Sequence, residues 1–129
     1  MALKELSVIF PIYNEEKTIK KTLLEWNNVL TKLSINFEMI IAEDGSTDKT
    51  KEILYKLISK NKKKFVSNIK IKKRGYAEAV RSSINIAKGN YILSIDSDGQ
   101  CDPNDFKKFW KKRSFLDNGV LLGNRFKRK

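Results

Sequence analysis

The segment YILSIDSDGQ, residues 91–100, joins a short apolar run to a polar turn that contains two aspartates. The run at residues 91–95 is typical of a buried strand, and Asp96 and Asp98 follow where such a strand ends. The same order, an apolar run followed by polar turn residues, occurs at two earlier places in the chain. This segment therefore indicates both the kind of fold and the end of the sheet at which a site would form.

Runs of strand type alternate along the chain with stretches whose apolar residues are spaced by three or four, as in helices. The predicted strands are residues 6–10, 36–42, 65–71 and 91–95, with a fifth beginning at residues 120–123. Pro11 is expected to end the first strand, Asn14 to cap the first helix and Gly89 to cap the third. Asp102 followed by Pro103 predicts the start of a fourth helix.

This alternation predicts an α/β fold, a three-layer sandwich with a mostly parallel sheet and right-handed crossovers. The expected strand order is 3-2-1-4 plus the fifth strand, so the order reverses between the first and fourth strands. Ligands bind outside the carboxyl ends of the strands at such a point. Residues 11–15, 44–48 and 96–100 would meet there, and they are the most polar turns of the chain.

Composition limits the possible functions of this 129-residue, 15.0-kDa chain. The length fits one domain, residues 1–129. The sequence contains no histidine and one cysteine, Cys101, which excludes histidine-ligated zinc, a histidine-based triad and an internal disulfide. It has no apolar run of about 20 residues and no leader pattern, so we expect a cytoplasmic protein. The formal net charge of +12 favours an anionic partner: nucleic acid, a membrane surface or a phosphorylated small molecule.

The acidic turn at residues 96–100 has two interpretations. Asp96 and Asp98 either form an ordinary hydrated surface turn or bind a hard divalent cation, Mg²⁺ or Mn²⁺. Gln100 offers a further oxygen ligand for such an ion. The spacing of two aspartates does not by itself decide between these alternatives.

The other polar turns also have a structural and a functional interpretation. Asp44 lies in a turn that can cap the following helix, and its carboxylate could instead accept hydrogen bonds from a nucleobase. Tyr13 could lie against a ring. Arg74 and Gly75 precede a helix, where a cation and free N–H groups favour phosphate, although an ordinary basic loop has the same composition.

Four segments together resemble the family 2 glycosyltransferases of the GT-A fold, with the closest likeness to the dolichyl- or polyprenyl-phosphate sugar transferases. They are SVIFPIYNEEKTI (7–19), EDGSTDKT (43–50), RGYAEAVRSSINIAKGNYILSIDSDGQCDP (74–103) and LLGNRF (121–126). Their order and spacing match that family, and the resemblance extends from Ser7 to about Phe126.

The resemblance implies a role for individual residues of this sequence. The implied nucleotide-sugar site consists of Pro11, Tyr13, Glu15, Asp44, Ser46, Arg74 and Asp96. Within it, Asp44 would contact the base and Arg74 would lie near the donor nucleotide. The resemblance also implies that Asp98 and Gln100 ligate the metal and that Arg125 faces phosphate groups. It assigns no catalytic base.

The function implied by the resemblance is metal-dependent, inverting transfer of a sugar from a UDP- or GDP-sugar to a polyprenyl phosphate or a glycan. A non-catalytic nucleotide-sugar-binding protein without an acceptor site is the alternative. A nucleic-acid partner is not expected, because most aromatic residues fall on apolar faces. Members of that family continue beyond the segment matching residues 121–126, so we expect an incomplete domain whose sheet edge could pair with a second copy. The basic residues 125–129 could contact the cytoplasmic face of a membrane.

Overall fold

The computed structural model describes residues 3–70 and 72–115. Within that part of the chain, one parallel sheet has the order β3-β2-β1-β4. Its strands are β1 (Leu6–Ile12), β2 (Phe37–Glu43), β3 (Phe65–Ser67) and β4 (Tyr91–Ser94). The predicted fold class and strand order are confirmed. The expected fifth strand and Arg125 lie outside the described residues.

Helices connect the strands and cover both faces of the sheet. They are α1 (Ile19–Lys32), α2 (Thr50–Lys60), α3 (Tyr76–Ile86) and α4 (Phe106–Lys111), with 3₁₀ turns at Pro103–Asp105 and Arg113–Phe115. Asp102 accepts a hydrogen bond from the N–H of Asn104 and so caps the 3₁₀ turn that leads into α4, which itself begins later than predicted, at Phe106. Among the described residues, no helix combines the length and apolar character needed to cross a bilayer.

The main core lies between the sheet and the pair α1 and α2. Alternate side chains of β1, such as Leu6, Val8 and Phe10, join it, because successive strand residues point to opposite faces. Trp26 of α1 is fully buried, with its ring centroid 6.0 Å from that of Phe10 and 5.9 Å from that of Phe106. The opposite face receives α3, whose buried residues are small, Ala79 and Ser83.

Pro11 does not end the first strand, contrary to the prediction. It lies within β1 and pairs in register with Ala42 of β2. The carbonyl of Pro11 points toward β4 and accepts a hydrogen bond of 3.0 Å from the Ser97 hydroxyl. On that side the ladder between β1 and β4 ends at the Ile9–Ser94 pair, so no strand partner is lost at the proline nitrogen.

β3 is shorter than the predicted strand at residues 65–71. Three residues pair with β2, and a single bridge between Asp44 and Lys70 follows. The interruption coincides with Asn68, whose amide turns toward α3 and donates to the hydroxyls of Ser82 and Ser83. The position of β3 at the edge of the described sheet agrees with its more polar sequence.

Gly89 is not the cap of α3, which ends at Ile86 with Ala87 as its cap. Its N–H donates to the Ser7 hydroxyl at 2.8 Å. An added Cβ at Gly89 would lie 2.5 Å from the Ser7 nitrogen and 2.6 Å from the Leu6 carbonyl carbon. A close approach of two backbones, rather than helix capping, therefore requires glycine here.

Replacement of Gly89 by alanine is expected to lower the free energy of unfolding by about 1–3 kcal/mol, because the methyl group overpacks rigid backbone. Urea unfolding followed by circular dichroism measures the effect. Substitution of the neighbouring exposed Asn90 by alanine serves as the control. Equal stability of the two variants would contradict the close approach.

Candidate functional site

The carboxyl ends of β1 and β2 are joined by hydrogen bonds between the turns that follow them. The N–H of Asn14 donates to the Ser46 hydroxyl at 2.8 Å. The side-chain oxygen of Asn14 accepts from the N–H groups of Thr47 and Asp48 at 2.8 and 3.3 Å. Asn14 thus holds two of the three predicted site segments side by side.

This arrangement corrects the prediction that Asn14 caps the first helix. α1 begins at Ile19. Neither Asn14 nor Thr18, the residue just before Ile19, caps this helix with its side chain. Asn14 adopts a φ of 50°, a left-handed conformation that asparagine tolerates better than most residues. Its amide is oriented by a turn more than thirty residues away in the sequence, which local patterns do not reveal.

Glu15 and Glu16 also form hydrogen bonds with the residues that follow β2. The N–H of Glu15 donates to the Thr50 hydroxyl at 2.9 Å, and that of Glu16 donates to the Asp48 carboxylate at 3.3 Å. Asp48 further accepts from the hydroxyl and N–H of Thr50. Burial raises the pKa of Asp48, but the bonds from Thr50 and Glu16 outweigh it, and the pKa lies below its ordinary value.

The lowered pKa of Asp48 predicts a pH-dependent contribution to stability. Because the folded state favours the ionised carboxylate, Asp48→Asn is expected to be less stable than the wild type at pH 7. The difference should shrink as the pH falls below about 4, through the pKa of the folded state, since the wild-type carboxylate is then protonated. Urea unfolding at pH 7 and pH 3 measures this, and a constant difference would contradict it.

Asp44 is buried at the end of β2, with its side chain 6% exposed. Its two carboxylate oxygens accept from the N–H groups of Arg74 at 2.6 Å and Gly75 at 3.1 Å. The Arg74 Nε atom lies 3.5 Å from Oδ1 of Asp44. A carboxylate has about four lone-pair positions, so these contacts orient it and leave positions for another donor.

The Arg74 guanidinium is turned inward and is 11% exposed. It donates to the side chains of Asn68 and Ser82 at 3.1 and 3.0 Å. It also donates to the carbonyls of Glu43 and Asn68 at 3.2 and 2.9 Å. Arg74 therefore stands beside Asp44, the expected base-binding residue, and its terminal nitrogens join β2 to α3; the predicted place of Arg74 near the donor nucleotide stays a prediction.

Two further side chains stabilise the turn after β2. Glu43 is fully buried, and its carboxylate accepts from the N–H groups of Gly45 and Ser46 at 3.0 and 2.7 Å. Ser46 is buried between this carboxylate and Asn14. The functional contact expected of Ser46 stays a prediction, since the bonds described for it are internal to the two turns.

Tyr13 lies at the end of β1 with 40% of its surface exposed. The ammonium nitrogen of Lys73 stands 3.8 Å from the centroid of its ring, the geometry of a cation–π contact. Because β1 is central in the sheet, Tyr13 lies between the Asp44 end and the Asp96 end of the site.

The segment after β4 carries the acidic pair. Asp96 and Asp98 are exposed, while Ser97 between them is buried and bonded to Pro11. The Tyr76 hydroxyl at the start of α3 donates to Asp96 at 3.3 Å. Burial and the neighbouring Asp96 charge raise the pKa of Tyr76, so this donor keeps its proton at neutral pH.

A divalent cation is compatible with this segment on the chemistry of its donors. Asp96, Asp98 and Gln100 supply carboxylate and amide oxygens, the ligand type of Mg²⁺ and Mn²⁺. Within the part of the chain described here, no three His, Cys, Asp or Glu side chains form a metal cage. Mg²⁺ sites commonly use one or two carboxylates and complete the shell with water and substrate phosphates, which suits a sparse donor set.

Three residues at this end of the sheet have a role that the sequence did not reveal. Glu43 and Asn68 are buried polar residues that orient the Asp44 turn and Arg74, and Lys73 covers Tyr13. For Glu43, the sequence did contain a signal, because two consecutive acids, Glu43 and Asp44, stand at the end of an apolar strand. Nothing in the local pattern distinguishes Asn68 or Lys73 from other residues of a polar strand and a basic loop.

Comparisons with known proteins show which family the chain resembles. A family model described as Glycosyl transferase family 2 matches residues 7–129. A dolichyl-phosphate beta-glucosyltransferase from Dictyostelium discoideum is 33% identical over 93% of this chain and 39% of its own length. An undecaprenyl-phosphate 4-deoxy-4-formamido-L-arabinose transferase from Photorhabdus laumondii is 28% identical, over 84% of this chain and 34% of its own. The chain thus spans between a third and two-fifths of these relatives.

Solved structures share the fold. TarS 1-349 from S. aureus, in complex with UDP-GlcNAc, matches 97% of this chain and 38% of its own with a TM-score of 0.68 and 24% identity. The mannosyltransferase PcManGT from Pyrobaculum calidifontis, in complex with GDP-Man and Mn²⁺, matches 75% of this chain and 30% of its own with a TM-score of 0.65 and 21% identity. The family match and the one-third identity to the Dictyostelium relative show that the chain belongs to glycosyl transferase family 2.

Proposed function

We propose that this chain is the donor-binding part of a glycosyltransferase that binds a UDP- or GDP-sugar together with Mg²⁺ or Mn²⁺. The observation that carries the proposal is that Asp44, Tyr13 and Asp96 follow three adjacent strands at the point where the strand order reverses. Open α/β sheets bind their ligands there. Residues 1–129 would form one domain.

The base would be recognised at the β1–β2 side of the site. A free lone pair of Asp44 would accept an N–H of uracil or guanine, and the Tyr13 ring would stack on the base. Glu15 and Ser46 shape this side through the bonds between the turns, and Pro11 joins it to the segment after β4 through its bond from Ser97. The N–H groups of Arg74 and Gly75 orient Asp44 before the base binds, so less ordering is needed on binding.

The sugar diphosphate would lie toward Asp96 and Asp98. Asp96 would contact the ribose or the metal side, and Asp98 with Gln100 would hold the metal. A bound divalent cation supplies charge stabilisation for the diphosphate leaving group. Arg125, outside the described residues, remains the second cation that the sequence proposes for this purpose.

The names of two relatives support a polyprenyl phosphate as the acceptor. One is named as a dolichyl-phosphate and the other as an undecaprenyl-phosphate sugar transferase. A phosphate acceptor is already ionised at neutral pH and needs less help from a general base than a hydroxyl does. Such a substrate would bring the protein to a membrane surface, and the net charge of +12 suits an anionic one.

The experiment that tests the proposal is transfer of radiolabelled sugar from UDP-glucose or GDP-mannose to dolichyl or undecaprenyl phosphate in detergent. We expect Mn²⁺-dependent appearance of label in the organic extract, with EDTA and Asp98→Asn as controls. Nucleotide binding without transfer would favour the non-catalytic alternative. Absence of binding for both nucleotides would refute the proposal.

A further inference from the structure

Two consecutive cations, Lys73 and Arg74, lie beside the proposed donor site, and they differ in what they already bind. The Arg74 side chain is only 11% exposed and donates to Asn68, Ser82 and the Glu43 carbonyl. Lys73 is exposed and, among the residues described, forms no ion pair. Its ammonium rests on the ring of Tyr13. Of the two charges, that of Lys73 is the one available to a ligand.

Resting on the proposed function, we propose that Lys73 is the cation of this loop that binds the phosphates of the donor, and that its ammonium leaves the Tyr13 ring to do so. The resemblance implied that Arg74 lies near the donor nucleotide. The structure gives Arg74 the different task of positioning Asp44 and joining β2 to α3. Lys73 would therefore act directly on the ligand, and Arg74 through Asp44.

The backbone of Lys73 is fixed although its side chain is exposed. Gly45, with a φ of 77°, allows the chain to pass so closely that an added Cβ would lie 2.8 Å from the Lys73 nitrogen. The next two N–H groups, of Arg74 and Gly75, are bonded to Asp44. A four-carbon side chain on such an anchor can move its ammonium by several ångströms without any movement of the loop.

Binding of the donor favours this movement in two ways. The contact of an ammonium with an exposed aromatic ring is weak, whereas charge-assisted hydrogen bonds to phosphate are among the stronger polar interactions. A base that stacks on Tyr13 also competes with Lys73 for the ring. Lys73 thus affects the binding of the two halves of the ligand in opposite ways. It competes with the base for the Tyr13 ring, and it attracts the diphosphate.

The test uses Lys73→Met, which removes the charge and keeps a side chain of similar length, with the adjacent exposed Lys72→Met as the matched control. Calorimetry measures the affinity for UDP and uridine, or for GDP and guanosine, whichever pair the wild type binds. We expect Lys73→Met to weaken diphosphate binding about tenfold. The same variant should bind the nucleoside as well as the wild type or up to about threefold better, because the ring is uncovered.

The control Lys72→Met should change neither affinity, and Lys73→Arg should restore diphosphate binding. An unchanged affinity of Lys73→Met for the diphosphate would overturn the inference, as would an equal loss for the nucleoside and the diphosphate. In both cases the wild type still binds, and the proposed function stands. If the wild type binds neither nucleotide, the proposed function itself fails, and the inference fails with it.

Discussion

Replacement of Arg74 by methionine is expected to lower the free energy of unfolding by about 3–5 kcal/mol, the usual result of removing one partner of a buried ion pair. The guanidinium is 11% exposed and Asp44 is 6% exposed, so water does not compensate for the loss. The variant also leaves the side-chain oxygen of Asn68 and the carbonyl of Glu43 without this donor. Urea unfolding of the variant and the wild type measures the difference.

Lys72→Met is the control for this prediction, because it removes an adjacent exposed charge. It is expected to change the free energy of unfolding by less than about 0.5 kcal/mol. A loss of similar small size for Arg74→Met would contradict the assignment of Arg74 to the interior of the protein.

Replacement of Asp44 by asparagine is expected to weaken binding of the preferred nucleotide, UDP or GDP, by about 10–100-fold, because a hydrogen bond to a charged acceptor is lost. Uracil and guanine present a ring N–H where cytosine presents an acceptor. The preference of the wild type for its nucleotide over CDP should therefore fall as well. Competition calorimetry with the three nucleoside diphosphates measures both quantities.

A reduced preference indicates a loss of base recognition. A general loss of structure would instead weaken the binding of all three nucleotides alike. Glu52→Gln, an exposed change on α2, is the control and should leave every affinity unchanged. An Asp44→Asn variant that keeps the full preference of the wild type would show that another residue recognises the base.

The sheet and the meeting of the polar turns at one edge followed from the sequence because they depend on long patterns. Apolar runs separated by helical stripes can form few arrangements other than a parallel sheet with covering helices. The polar residues at the strand ends, Asp44 and Asp96 among them, then have to lie at one edge. The exposed acidic residue Asp98 is at that edge too, although its role as a metal ligand stays a prediction.

Details set by contacts between distant segments did not follow from the sequence. Asn14 has the composition of a helix cap, but its amide is used by the turn after β2. Gly89 stands where a helix cap is expected, and the backbone of β1 decides its identity instead. The direction of the Arg74 side chain depends on Asn68 and Ser82, which no local rule connects with a basic loop.

The most direct measurement of the central claim is calorimetric titration of the wild type and Asp98→Asn with UDP and GDP, each with and without Mn²⁺. Asp102→Asn, an exposed change in the following turn, is the matched control. We predict that the wild type and the control bind one nucleotide tightly only when Mn²⁺ is present, and that Asp98→Asn loses this metal dependence. Equal, metal-dependent binding by the wild type and Asp98→Asn would contradict a cation held at the end of β4.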